Sequence, residues 1–241
     1  MIRLFLEPDL LAGAVVAVNP EQAHYLTRVM RLSAGSELAV FNGRDGEWLA
    51  RVVDGSARRC GVQALERLRP QKPTLDLELI IAMVKRPRLE TIIEKATELG
   101  ARRVRLALTE RTNTDRANLT RLAAISTEAA EQTGRLDLLE ILPPLQLGEI
   151  IAAWERGRRL LFCDETAGAP TAAAALAGAP GGAWGVLIGP EGGFSAGEGD
   201  LIRTLPETLR VSLGPRILRA DTAAIAALTL WQSHLGDWRG P

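Results

Sequence analysis

At 241 residues, 46% of them hydrophobic and 24% charged, the chain is long enough to bury a core as one large domain or two small ones, and its composition excludes intrinsic disorder. Its 29 basic and 29 acidic side chains cancel to a formal net charge of zero, which removes any overall cationic field for nonspecific nucleic-acid binding. Cys60 and Cys163 lack metal-ligand spacing, Arg3, Glu7 and Asp9 interrupt any apolar leader, and no apolar run approaches membrane-spanning length; a cytoplasmic protein with reduced thiols, no metal and no membrane contact is expected.

From Met1 to Leu68 short β-type runs alternate with turns: Ile2–Leu6, Gly13–Val18, Glu37–Phe41, Glu47–Val53 and Gly61–Leu68. Asn42–Gly46 has the composition of a hairpin connection. Glu21–Leu32 predicts one helix with Tyr25, Leu26, Val29 and Met30 on a single face. These runs suit a small β-barrel. Arg69-Pro70-Gln71-Lys72-Pro73 holds two prolines and nothing of a buried type, so a boundary belongs there, separating domains 1–70 and 74–239.

Beyond it, strands alternate with helices. Leu75–Val84 reads as a strand; Leu89, Ile92, Ile93, Ala96 and Leu99 recur at helical spacing, and Gly100 stands where a left-handed cap is wanted. Arg103–Thr109 is a strand and Leu119–Gln132 a helix closed by Gly134. Arg158–Cys163, Trp184–Ile188 and Leu209–Leu213 are further strands, with a short helix around Thr171–Leu176. Ser195 and Glu198 form a capping-box pattern, and Asp221 is placed to cap a last helix running to about His234. This rhythm predicts an α/β fold with a mostly parallel sheet, helices on both faces and ligands at the carboxyl ends of the strands.

Two loops lie at such ends: Leu187-Ile188-Gly189-Pro190-Glu191-Gly192-Gly193-Phe194-Ser195 and Leu213-Gly214-Pro215-Arg216-Ile217-Leu218-Arg219. Glycine lacks the Cβ that keeps backbone from a ligand, and proline stops the strand. Neither loop has the spacing of a P-loop or of a dinucleotide turn. A tight structural turn explains one of them alone, but two on neighbouring strands favour a shared ligand. Their exposed amides suit the edge of a planar heterocycle, and Leu187, Ile188, Leu213, Ile217 and Leu218 suit its faces, as in an adenine-bearing cofactor.

Arg216 and Arg219 read equally well as ligand contacts or as surface arginines paired with Glu191 or Asp221. Glu198 reads as a cap, and His24 and His234 are lone histidines without a catalytic neighbour. Lys72, Lys85 and Lys95 are the only lysines, leaving 26 arginines among the basic residues. The guanidinium fork suits phosphates and base edges, but arginine bias also follows from coding composition, so placement must give it meaning.

The two glycine-proline loops resemble the C-terminal signatures of the bacterial ribosomal RNA small subunit methyltransferase E family of the SPOUT superfamily. Ile93-Glu94-Lys95-Ala96-Thr97-Glu98-Leu99-Gly100, Thr109-Glu110-Arg111-Thr112 and Glu128-Ala129-Ala130-Glu131-Gln132-Thr133-Gly134-Arg135 are similar to it too, as are His24–Leu32 and Val40-Phe41-Asn42-Gly43. The resemblance implies a PUA-like RNA-binding β-barrel followed by a SPOUT α/β domain closed by a C-terminal trefoil knot. It also implies a homodimer that uses S-adenosylmethionine to methylate N3 of one uridine of 16S rRNA within the small ribosomal subunit.

Carried onto this chain, it implies a cofactor pocket of Leu187, Ile188, Gly189, Pro190, Glu191, Gly192, Gly193, Leu213, Gly214, Pro215, Ile217 and Leu218, with a contribution near Phe162–Glu165. It also implies that Arg219 faces the methyl donor and the target base; Arg219, Arg216 and Asp221 are the candidate catalytic residues, and His24, Arg28, Arg31, Arg44, Arg51, Lys85, Arg86 and Arg88 the candidate electrostatic RNA contacts. Ala220-Asp221-Thr222-Ala223 replaces the family's usual Thr-Glu-Thr-Ala, and Pro87 stands where a glycine is usual. A related enzyme acting on another RNA, or a non-catalytic RNA-binding assembly factor, are the competing readings.

Overall fold

The computed structural model describes residues 1–54, 60–112, 114, 116–164 and 168–239. They form two compact units, Met1–Pro73 with Ala130–Leu138, and Thr74–Ala129 with Leu139–Pro241.

The first unit holds β1 (Arg3–Phe5), β2 (Val15–Ala17), β3 (Glu37–Phe41), β4 (Glu47–Asp54) and β5 (Gly61–Arg69) in the order β1-β3-β4-β5-β2. β1 runs parallel to β3 and the other pairs are antiparallel. Leu4, Val16, Leu38, Val40, Ala50, Val52 and Val62, drawn from all five strands, share one core. The hairpin between β3 and β4 is built by buried Asn42, whose Oδ1 accepts from the Arg44 and Asp45 amides at 3.0 and 2.9 Å. Only glycine fits position 46: its φ is +84° and a Cβ would lie 2.2 Å from the Arg69 carbonyl.

The expected helix 21–32 is shorter and changes pitch. α1 (Pro20–His24) starts at Asn19, which accepts from the Gln22 amide at 2.8 Å, and a π-helical turn covers Tyr25–Val29. The Met30 amide reaches the Tyr25 carbonyl at 2.9 Å, and this wider turn breaks the i, i+4 repeat. Leu26 is fully buried while Val29 is 58% exposed, so the predicted apolar face does not form as one.

Arg3 joins residues 130–138 to the rest of this unit. Its guanidinium donates to Glu47 at 2.6 Å and to the carbonyls of Ala130, Glu131 and Arg135 at 2.6, 3.0 and 2.7 Å.

The second unit runs β6 (Leu77–Ala82), α2 (Arg86–Glu98), β7 (Arg103–Leu108), α3 (Leu119–Thr133), β8 (Glu140–Gln146), α4 (Leu147–Ala152), β9 (Arg159–Cys163), α5 (Ala172–Leu176), β10 (Trp184–Ile188), α6 (Ala196–Arg203), β11 (Thr208–Val211) and α7 (Ala220–Leu235). Its six strands lie in the order β11-β9-β10-β6-β7-β8, every pair parallel. Alternation along β6 sends Leu77, Leu79 and Ile81 into one core and Ile80 into the other, as a sheet covered on both faces requires.

α2 closes as expected, with Gly100 at φ +74° and the Gly100 and Ala101 amides bonded to the Thr97 and Ala96 carbonyls. β8 and α4 were not expected. Pro143 and Pro144 lack backbone amides, but β8 is the sheet's edge and its register with β7 slips between Arg105 and Ala107, which accommodates them. Asp221 is not the cap of α7: that position is Arg219, and the Asp221 carboxylate in the first turn accepts from the Thr222 amide at 3.0 Å. No helix among the described residues is long and apolar enough to cross a membrane.

Candidate functional site

β9, β10 and β11 are neighbours, and their carboxyl ends open on one cavity of about 390 Å³. Cys163 ends β9 and Asp164 follows it. After Ile188, the Gly193 amide turns back to the Pro190 carbonyl at 2.9 Å with Gly193 at φ +68°, and Ser195 starts α6. Beyond Val211, Ser212 bonds across Gly214 through its hydroxyl, at 3.2 Å to both amide and carbonyl, and Gly214 takes φ +118°.

Of the residues expected at this pocket, Ile188, Gly189, Pro190, Glu191, Gly193, Leu213, Gly214, Pro215, Arg216, Ile217 and Leu218 line the cavity together with Phe162, Cys163 and Asp164. Glu165 lies outside the described residues. Leu187 is not in the lining; it is buried in the core with Ile80, Phe162 and Ile202. Gly192 is also outside the lining, and its carbonyl accepts from Arg111 Nη1 at 2.5 Å. Phe194, Ser195, Ala196, Gly199, Arg203, Ser212, Ala220 and Ala223 line the cavity without having been expected. Most belong to the first turns of α6 and α7. The capping pattern at Ser195 marks one of those starts, and a helix beginning directly behind a ligand loop was the available signal.

The cavity is apolar on its walls and polar at its rim. Phe162 and Phe194 meet edge to face at 5.5 Å. Gly189 is glycine for space, since a Cβ there would lie 2.8 Å from the Phe194 ring. Asp164, buried, pairs with Arg210 at 2.6 Å. Desolvation pushes the Cys163 thiol up to about 12, so it stays protonated at neutral pH.

Glu198 is a cap, as expected: its Oε2 accepts from the Ser195 amide at 2.9 Å and its Oε1 from the Glu110 amide at 2.8 Å. Glu191 pairs with Arg88 rather than with Arg216 or Arg219. Arg216 and Arg219 are both exposed and, among the described residues, their side chains have no ion-pair or hydrogen-bond partner. Arg219 and Asp221 flank the cavity without lining it.

The candidate RNA-contact residues fall in both units. In the first, His24 at the end of α1, Arg28 on the π-helical turn and Arg31 just after it are exposed, and Arg31 takes a left-handed φ of +56°. Arg44 pairs with Asp9 at 2.8 Å, and Arg51 with Glu37 at 3.0 Å. In the second, exposed Lys85 stands at the start of α2, Arg86 pairs with Glu90 at 2.8 Å, and Arg88 is committed to Glu191.

Residues 70–232 match the RNA methyltransferase domain family and residues 18–63 the RNA methyltransferase PUA domain family. A ribosomal RNA small subunit methyltransferase E from Synechocystis is 37% identical over 94% of this chain and 75% of its own length; one from Rickettsia conorii is 28% identical over 94% and 93%. The crystal structure of a ribosomal RNA small subunit methyltransferase E from Neisseria gonorrhoeae bound to S-adenosyl methionine superposes with a TM-score of 0.88 at 25% identity, covering 99% of each chain. A methyltransferase from Legionella pneumophila with bound SAM gives 0.86 at 28% identity, covering 96% of this chain and 97% of that one.

Proposed function

The chain belongs to the ribosomal RNA small subunit methyltransferase E family, and from that premise we propose that it methylates N3 of one uridine in 16S rRNA within the small ribosomal subunit, using S-adenosylmethionine. The carrying observation is the single cavity that gathers both glycine-proline loops and the end of β9. Its residues fit the cofactor. Ile188, Leu213, Leu218 and the Phe162–Phe194 pair supply apolar faces for an adenine, and Gly189, Gly193 and Gly214 leave backbone amides and carbonyls open to its edge.

When bound, S-adenosylmethionine supplies an electrophilic methyl group. The protein's part is to hold the uracil in line and to manage the charge that develops as the N3 proton leaves. Arg219, with Arg216, stabilises negative charge on a uracil carbonyl oxygen; both guanidinium groups stand unpaired beside the cavity mouth and so are available. Asp221, in the turn that follows Arg219, orients an arginine or accepts the N3 proton through water at its carboxylate.

RNA is held mainly through phosphates. His24, Arg28, Arg31 and Lys85 are exposed and free for it, while the exposed pairs of Arg44 and Arg86 are worth little and exchange readily for phosphate. Arg88 is the least available of the set. A homodimer and a trefoil knot around the cavity loops complete this reading; Ile217, 81% exposed, and Trp238, 53% exposed, are apolar surfaces that a second copy would cover.

The test is transfer of labelled methyl groups to small subunits lacking the modification, with the product located as a reverse-transcription stop. Methylation of transfer RNA or large subunits instead, or no turnover with SAM bound, would replace this reading. Arg219→Ala is expected to abolish most turnover at saturating cofactor.

A further inference from the structure

We propose that the turn Thr109–Thr112 positions the cofactor loop, with Arg111 a positioning residue that orients the peptide between Gly192 and Gly193. This rests on the reading that Gly189–Gly193 holds S-adenosylmethionine. The turn follows β7 and contributes nothing to the cavity lining.

The turn is fastened to itself. The Thr112 amide donates to the Thr109 carbonyl at 3.1 Å, the Thr109 amide to the Thr112 hydroxyl at 3.0 Å, and the two hydroxyls meet at 2.8 Å. From this base it makes two outward bonds. The Glu110 amide donates at 2.8 Å to Glu198, whose other oxygen caps Ser195, and Arg111 Nη1 donates at 2.5 Å to the Gly192 carbonyl. The Arg111 stem lies along Gly192, so a Cβ there would be 3.4 Å from Arg111 Cδ.

The Gly192 carbonyl and the Gly193 amide belong to one planar peptide. Arg111 holds one end of it and the Pro190 carbonyl, at 2.9 Å, holds the other. Gly193 and Glu191 line the cavity, and Glu191 is tied in turn to Arg88 on α2. A loop with glycines at 189, 192 and 193 would otherwise sample many backbone states, and ordering it on binding would weaken affinity. The turn supplies that order in advance, from a strand whose own end does not touch the ligand site.

Calorimetry with S-adenosylmethionine alone, without RNA, tests this on wild type, Arg111→Ala, Arg111→Lys and Thr112→Val. Loss of a charge-assisted bond predicts about tenfold weaker binding for Arg111→Ala, partial recovery in Arg111→Lys, and weakening in Thr112→Val, which keeps the arginine but loosens its base. The KM for S-adenosylmethionine rises in parallel while kcat at saturating cofactor stays within about twofold. Unchanged affinity in Arg111→Ala, including the case where only subunit binding falls, overturns the inference alone. A wild-type protein that does not bind S-adenosylmethionine overturns the functional reading and this inference with it.

Discussion

Gly189→Ala tests whether the cavity's shape is set by packing between its first loop and the Phe162–Phe194 pair. Gly189 needs no special φ, so the effect is steric. An added Cβ would lie 2.8, 3.2 and 3.3 Å from three atoms of the Phe194 ring, against an ordinary contact of at least 3.4 Å, so the nearest ring atom must retreat by about 0.6 Å. The ring has little room: its edge-to-face partner Phe162 is buried at 2% exposure in β9, between β10 and β11. Overpacking of this kind costs about 1–3 kcal/mol, and half-buried Phe194 can yield somewhat, so about 1–2 kcal/mol of stability is expected. Because Gly189, Phe162 and Phe194 all line the cavity, S-adenosylmethionine should bind about tenfold more weakly. Urea unfolding and calorimetry measure the two effects. The double variant Gly189→Ala/Phe194→Ala removes the clash, so its stability loss should fall short of the sum of the single losses by about 1 kcal/mol. Additive losses, or a single variant that binds and unfolds like wild type, would refute the packing argument.

Glu47 in the first unit is raised by burial, but its bonds to Arg69 and Arg3 outweigh this and hold it below its ordinary 4.5. A depressed carboxylate contributes stability above the unfolded value that disappears as pH falls through the folded one, so this unit should weaken below about pH 4.5. Glu47→Gln should flatten that part of the pH curve and cost about 2 kcal/mol at pH 7, and an unchanged acid limb would argue against it. Burial raises the Cys60 thiol, with help from the Asp54 charge, so iodoacetamide at pH 8 should label it only after unfolding. Rapid labelling of Cys60 in the folded chain would contradict its burial. Arg28→Glu with Arg31→Glu should weaken small-subunit binding and lower the slope of log affinity against log salt by about 2, one per lost phosphate contact; an unaltered slope would move the RNA face elsewhere.

The parts of this protein that were legible in its sequence are those where one local rule decides. Alternating strands and helices beyond Pro73 call for a parallel sheet, and the sheet is parallel throughout. Gly100 ends α2 because only a left-handed residue closes that turn, and Ser195 with Glu198 starts α6 because the two side chains satisfy each other's backbone amides. Phe162–Asp164, which the family resemblance implied, line the cavity. By contrast, two prolines concealed β8, since nothing local reveals that a strand will lie at an edge. The π-helical turn after His24 concealed which apolar side chains face inward, and that Leu187 lies in the core rather than in the cavity lining depends on tertiary packing.

Residue type and spacing alone therefore determined most of the elements, the ends at Gly100 and Ser195 and the two glycine-proline bends, because each depends on backbone freedom within a few positions. Only the tertiary structure decided that three neighbouring strand ends share one cavity, that Arg88 is bound to Glu191, and that Arg111 reaches the Gly192 carbonyl across 81 positions of sequence. Those contacts depend on strand order in the sheet, which folding establishes through long-range packing and no local pattern encodes.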